Sequence, residues 1–328
     1  MTVRFTSVVT LLAFALYFAP ADGQEKTRIV LGASSKTLGY SPLWVGTKKG
    51  FFDQQGLDVQ LVLLRGVPMT LQALAAGSLQ VGSGGPEPHI EAAERGLDFV
   101  VTGGIINGMA QFLIAGKNYK SYEDLRGTTF GASSLTGGII TALREALRLK
   151  GLEYPRDYKL LIVAGGSSAN LAALQSGQIA ATTVAVPLNY AAEESGLNVI
   201  GRLSDGIPHY QTNALVVRRS WAEKNRPLMV RFMKAMVLTF RWLFENRDAA
   251  VEFLSSEMKL KPVHARKGWE FYTQNRFWPP DGDVTMEGMK NNIRIYAEQT
   301  GVKGPLPDAG RYVDQSYLHD ALKEIDKR

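Results

Sequence analysis

The chain contains no cysteine. That absence removes disulfides, thiolate metal sites, cysteine nucleophiles and a lipid-anchoring cysteine together, and leaves stability to the core. Histidine is scarce as well: the four present, His89, His209, His264 and His319, are too far apart in sequence for a metal-ligand motif, and no metal or cofactor is expected. Charge of one sign is nowhere gathered into a block. The net charge of +6 comes from 37 basic residues spread among 31 acidic ones, with no basic stripe interleaved with aromatics, so a mildly basic solvated surface is expected and nucleic acid is not a partner. The apolar run from Val8 to Phe18 falls short of the roughly 20 residues that cross a bilayer. It follows Arg4 and precedes Ala19-Pro20-Ala21, so residues 1–23 read as an export signal cleaved after Ala21 or Gly23. A soluble protein of the periplasm or cell exterior is the expectation.

What is present is a repeat. Gly32-Ala33-Ser34-Ser35 recurs as Gly131-Ala132-Ser133-Ser134, and Leu71, Leu74, Gly77, Glu94 and Gly96 recur as Leu171, Leu174, Gly177, Glu194 and Gly196, all at an offset of about 100 residues. Solenoid and propeller units run about 20 to 50 residues, so this period is too long for them. It suits a whole small α/β lobe. The roughly 300 residues beyond the signal also exceed what one core usually covers. Two similar lobes face each other across a cleft, and such clefts bind small molecules.

Strand and helix signals alternate in both copies, which argues a mostly parallel sheet with helices on both faces. The first copy reads as strands at 28–32, 57–64, 79–82 and 99–102, with helices from Ser41-Pro42, Pro68 and Glu87. The second reads as strands at 129–132, 159–164, 179–184 and 198–200, with helices from Gly138, Ala169 and Leu188. The apolar segments 111–116 and 213–217 sit where the chain passes between lobes. They have two readings, paired hinge strands or ordinary strands of one sheet. Past Trp221 the pattern is helical, and Met229, Phe232, Met233, Met236, Val237, Phe240 and Leu243 mark one packing face. The division expected is signal 1–23, lobe 1 at 24–110, lobe 2 at 111–212, and a return to lobe 1 at 213–328.

Several stretches are familiar. Tyr40-Ser41-Pro42-Leu43-Trp44-Val45-Gly46 through Lys49-Gly50-Phe51-Phe52, then Gly56-Leu57-Asp58-Val59, resembles the opening of the nitrate, sulfonate and taurine type of solute-binding proteins of ABC importers. Leu74 through Val81, Tyr122-Glu123-Asp124-Leu125-Arg126-Gly127, Ala172 through Ala181, Asp281 through Thr285 and Val313 through Leu318 fit the same family, so the resemblance spans the whole mature chain. It implies a two-lobed periplasmic binding protein fold of type II, with two crossover hinge strands and a ligand cleft between the lobes. It further implies a monomer that carries a small organic solute to an ABC permease and its ATPase, and no enzyme activity. A branch of the same superfamily makes the pyrimidine of thiamine, but the cysteine-rich motif expected there is absent. A periplasmic enzyme on a pyrimidine-like substrate, or a ligand-binding module of a membrane receptor, stands as the alternative.

In α/β sheets ligands sit beyond the carboxyl ends of strands, where helix N-termini present free N–H groups and partial positive charge. The loops so placed are 39–41, 65–67 and 82–85 in the first lobe, and 133–137, 165–168 and 186–189 in the second. The candidate site comprises Tyr40, Ser41, Arg65, Gly84, Gly85, Glu87, Asn107, Ser133, Ser134, Thr136, Ser167, Pro187 and Asn189. Each hydroxyl has a second reading as a helix N-cap. Arg65 either forks onto a carboxylate or sulfonate or is a plain surface residue. Glu87 either favours its helix dipole or recognises a cationic or amide-bearing ligand. Tyr40, Trp44, Phe112 and Tyr210 are the aromatic candidates, for stacking or for core. A sulfonate or carboxylate is the ligand expected from the helix termini, with a neutral heterocycle as the alternative. No phosphate-binding lysine loop is present, and Gly82-Ser83-Gly84-Gly85 lacks the glycine that a nucleophile elbow needs two residues before its serine.

Overall fold

A computed structural model describes residues 26–64 and 66–327. The predicted signal at 1–23 and Arg65 lie outside the described residues. The first copy folds as β1 (Thr27–Ala33), α1 (Ser41–Lys48), β2 (Leu57–Leu63), α2 (Val67–Ala75), β3 (Val81–Gly84), α3 (Pro86–Glu94) and β4 (Phe99–Asn107). After β5 (Gln111–Ala115), the second copy repeats the series as β6 (Thr129–Ala132), α4 (Gly138–Arg148), β7 (Lys159–Ile162), α5 (Gly166–Gln175), β8 (Ala181–Ala185), α6 (Leu188–Glu194) and β9 (Asn198–Arg202). Then come β10 (Gln211–Arg218) and the helices α7 (Arg219–Lys224), α8 (Arg226–Glu245), α9 (Arg247–Met258), α10 (Pro262–Gln274), α11 (Met286–Thr300) and α12 (Ser316–Asp326).

The repeat in sequence is a repeat in topology. One sheet, A, runs β2-β1-β3-β10-β4 and the other, B, runs β7-β6-β8-β5-β9, so every strand has a counterpart in the same place. Matching residues do matching work. The Ser83 hydroxyl donates to the Gly32 carbonyl at 3.0 Å, and the Thr182 hydroxyl donates to the Gly131 carbonyl at 2.9 Å. A Cβ on Gly32 would collide with the Leu79 side chain, and one on Gly131 would collide with Ile179, its counterpart. These two glycines are fixed by close packing of a neighbouring side chain over the strand.

The segments 111–116 and 213–217 do not pair with each other, which corrects the paired-hinge reading. β5 lies antiparallel between β8 and β9, and β10 antiparallel between β3 and β4. All five residues of β5 are buried. A strand apolar on both faces needs neighbours on both edges, which a two-stranded hinge would not supply. The chain crosses between sheets just before each of them, through 108–110 and 203–210. Thr212 donates its hydroxyl to the Gly108 carbonyl, and the Gln211 amide donates to Asn107 Oδ1 at 2.7 Å, so the two crossovers are tied side by side.

β4 runs five residues past its predicted end at Thr102. Gly103-Gly104 suggests a stop, yet it serves as a seat. A Cβ on Gly104 would fall on the Asp283 carbonyl oxygen, and one on Gly103 would stand 3.1 Å from that of Gly282. The glycines let the 282–283 backbone lie against the strand. The apolar face predicted on the tail is α8, whose Met229, Phe232, Met233, Met236, Val237, Phe240 and Leu243 are all fully buried. Phe232 stacks on Phe52 with ring centroids 5.0 Å apart. Burying each of these side chains stabilises the fold by about 1.5–3 kcal/mol, which holds the tail against the first copy.

Candidate functional site

A cavity of about 920 Å³ lies between the two sheets. Its position follows from the topology: β3 runs into α3, β6 into α4 and β8 into α6, so the ends of the parallel strands and the starts of the helices meet there. Sheet A contributes Tyr40, Gly85 and Glu87, and sheet B contributes Ser133, Ser134, Thr136, Gly137, Gly165, Gly166, Ser167, Ser168 and Pro187. The crossovers and the strand ends beside them add Ile106, Ala110, Gln111, Tyr210 and Thr212, and the tail adds Leu260, Tyr272, Tyr296 and Gln299.

The hydroxyls on the sheet B wall are not helix caps. The N-cap positions of α3, α4 and α5 are Gly85, Gly137 and Gly165, none with a side-chain cap. Gly137 and Gly165 have φ of 93° and 109°, a backbone region that side-chain-bearing residues rarely enter. The serines and threonine instead hold the wall in shape. Thr136 N–H donates to Ser134 Oγ at 3.1 Å, Asn170 donates to Ser133 Oγ at 2.7 Å, and Ala185 N–H donates to Ser167 Oγ at 3.1 Å. The first-turn N–H groups and hydroxyl protons of this wall make it a surface of donors, with the partial positive charge of two helix starts behind it.

The opposite wall has a different character. Glu87 is 8% exposed and sits in the first turn of α3. Tyr210 donates its hydroxyl to Glu87 Oε1 at 2.6 Å, with Asn292 close to both. Burial pushes the Glu87 carboxyl above the usual carboxylate range, an effect that the bond from Tyr210 only partly offsets. Burial and the facing carboxyl also push Tyr210 well up, so the phenol keeps its proton and is the donor of the pair. Tyr40 shares a hydrogen bond of 2.9 Å with Ser34, and burial raises it too.

Of the candidate residues, Tyr40, Gly85, Glu87, Ser133, Ser134, Thr136, Ser167 and Pro187 line the cavity. Ser41, Gly84, Asn107 and Asn189 do not. Ser41 and Asn189 are buried inside their helices' packing, Ser41 as the first residue of α1, which begins one position earlier than the proline pattern indicates. Gly84 closes β3, and a side chain there would press on Val67 and His89. The Asn107 amide is spent on the crossover, donating to the Asp283 carbonyl at 2.9 Å and accepting from Gln211. Trp44 and Phe112 are core, the latter against Phe271 at 5.6 Å. Sequence reasoning missed Thr183, Tyr272, Tyr296 and Gln299. Thr183 follows Thr182, the repeat counterpart of Ser83, which is a usable signal; the other three come from the tail, where no repeat points to them.

Among the described residues no group of three or more His, Asp or Glu side chains could hold a metal ion, and no helix is long and apolar enough to cross a membrane. The family model described as NMT1/THI5 like matches residues 38–250. The protein YtlA of Bacillus subtilis, provisionally named a binding protein, is 25% identical over 248 residues, covering 72% of each chain. Among solved structures, the alkanesulfonate-binding protein SsuA from Xanthomonas axonopodis pv. citri bound to MOPS superposes with a TM-score of 0.69 at 17% identity, covering 88% of this chain and 99% of that one. The periplasmic nitrate-binding protein NrtA from Synechocystis PCC 6803 gives a TM-score of 0.73 at 14% identity, covering 93% of this chain and 90% of that one. At these identities the two structures speak to the fold, which is that of two-lobed periplasmic binding proteins.

Proposed function

The chain belongs to the NMT1/THI5-like family, and from that premise we propose that it is the solute-binding component of an ABC importer, working outside the cytoplasmic membrane. It binds a small organic solute between its lobes and delivers it to a permease powered by an ATPase. The observation that carries this reading is the cavity of about 920 Å³, lined by both copies of the repeat and both crossovers. A ligand that touches both walls favours the closed arrangement of the lobes, and closure is what a permease can read. The lobes are taken as 24–110 with 213–328, and 111–212, and the protein as a monomer.

The sheet B wall, built of helix starts and hydroxyls, suits an oxygen acceptor such as a carboxylate or sulfonate. The volume lies at the upper end for small-molecule sites, so an organic skeleton fits it better than a bare inorganic anion. YtlA, SsuA and NrtA carry names of binding proteins, in keeping with binding in place of catalysis. The test is a thermal-shift screen of the mature protein against sulfonates, carboxylates, nitrate, pyrimidines and flavins, followed by calorimetry on hits. A one-to-one ligand that also reduces the radius of gyration in solution supports the reading. A protein that binds none of these classes, or turns one over, does not fit it.

A further inference from the structure

The two walls of the cleft ask for different chemistry. Sheet B offers donors, whereas Glu87 on the sheet A side offers an acceptor. Four carboxyl or ammonium side chains line the cavity: Lys36, Glu87, Glu91 and Lys259. Lys36 is engaged by Glu257 at 2.7 Å, and Glu91 by Arg95 at 2.5 Å. Glu87 is the buried one of the four, and no lysine or arginine among the described residues forms an ion pair with it.

We propose that Glu87 sets the specificity of the cleft by receiving an N–H group of the solute, so that the solute is bifunctional: a nitrogen donor at the sheet A wall and an oxygen acceptor at the sheet B wall. This rests on the solute-binding reading above. A carboxyl group has about four lone-pair directions on two oxygens. Tyr210 takes one on Oε1, and the Asn292 amide and the N–H of Glu87 itself stand near the carboxyl, which leaves at least one direction for a ligand. The other oxygen stands on the Gly85 side, 3.7 Å from where a Cβ on that residue would be, and Gly85 itself lines the cavity. A buried carboxyl short of donors is costly, and a donor from the ligand removes that cost. A second oxyanion in the same place would raise it through like-charge repulsion. The upward push on the Glu87 carboxyl fits this geometry: a neutral N–H bonds to either protonation state, while an ammonium group draws the proton off. Tyr40, Tyr272 and Tyr296 line the cavity between the two polar ends and suit an apolar or ring-shaped middle.

The experiment is calorimetry on matched pairs drawn from the screen's hits, each hit against its analogue with the N–H replaced by N-methyl or carbon, on the wild type and on Glu87→Gln. Loss of the N–H is expected to cost about tenfold or more in affinity on the wild type, and much less on Glu87→Gln. Because the ligand-side change needs no altered protein, the result stands even where the variant is unstable. Hits that bind equally well without an N–H, or whose preference survives in Glu87→Gln, overturn the proposal and leave solute binding intact. Absence of any hit overturns solute binding itself and this proposal with it.

Discussion

Glu194 Oε1 lies 2.8 Å from His264 Nε2, and its Oε2 lies 2.7 Å from Lys261 Nζ. The contact joins α6, which belongs to the second copy, to the start of α10 in the tail. On the other side of the cleft, Gln299 of α11 accepts from Gly137 N–H at 3.1 Å and donates to Thr141 Oγ1 at 3.0 Å, at the start of α4. The tail thus touches the second copy at two separate points flanking the cavity. Both polar contacts run beside apolar ones: Ile295 of α11 is buried in the second copy's core, and Phe271 of α10 packs on Phe112.

Glu194→Ala is therefore expected to loosen the ligand-free protein without unfolding it. The radius of gyration from small-angle scattering should rise, while the melting temperature falls modestly, because the exposed Lys261 pair contributes little but the buried His264 loses its partner. The variant's affinity for a solute should fall, since a contact that holds the tail to the second copy beside the cavity is lost. An unchanged scattering profile together with unchanged affinity would show that the contact does not bear on closure.

Replacing Ser134 and Thr136 together by alanine tests the donor wall. Both are exposed, and they hydrogen-bond mainly to each other, 3.3 Å apart, and within their own loop. Their loss should leave the chemical denaturation midpoint nearly unchanged and weaken binding of an oxygen-bearing solute by roughly tenfold. Unaltered affinity in calorimetry would take both residues out of the site.

Much of this architecture can be read from the sequence, for a definite reason. Gly32 and Gly131, Gly77 and Gly177, Leu74 and Leu174 recur because each lobe solves the same packing problem, and a packing problem leaves its mark at the residues that have no alternative. Tyr210 and Glu87 leave no such mark. They stand 123 residues apart, in a crossover and a helix start, and nothing in either local pattern names the other. Ser41 and Asn189 look like loop-end polar residues, yet both are buried, which pattern alone does not report, and neither lines the cavity. The ends of β4 are hidden for the opposite reason: Gly103-Gly104 carries the usual sign of a turn, and only the passage of residues 282–283 over the strand explains it.

Tyr210 is where the copies meet beside the cavity. Its hydroxyl donates to Glu87 and lies against Gly138, the first residue of α4. A Cβ on Gly138 would fall on that hydroxyl. Tyr210→Phe should cost about 1–3 kcal/mol in urea unfolding, because a buried carboxyl loses its donor. Gly138→Ala should cost a similar amount by displacing the ring, and the double variant should cost less than the sum, as both break one arrangement. Full additivity would mean that the two residues act separately.

His89 gives the clearest pH signature. Its ring is buried, Nδ1 lies 2.7 Å from the Gly85 carbonyl, and burial lowers its pKa from 6.5 to about 4. The folded state then binds fewer protons than the unfolded chain between those two values. Its contribution is fully present above pH 6.5 and is lost as pH falls toward 4, by about 3–4 kcal/mol at roughly 1.4 kcal/mol per unit. The repeat supplies the control, since the counterpart of His89 is Asn189, also buried in the first turn of its helix. His89→Asn should flatten the fall in unfolding free energy between pH 6.5 and 4, whatever it does to stability at neutral pH. Glu87 acts in the opposite sense. With its folded pKa raised, its contribution is complete below the ordinary carboxyl range and is lost as pH rises through the raised value, so Glu87→Gln should flatten the curve on that side. Urea titrations of the three proteins across this range separate the two groups, and a His89→Asn curve parallel to the wild type would show that the imidazole is already protonated in the fold.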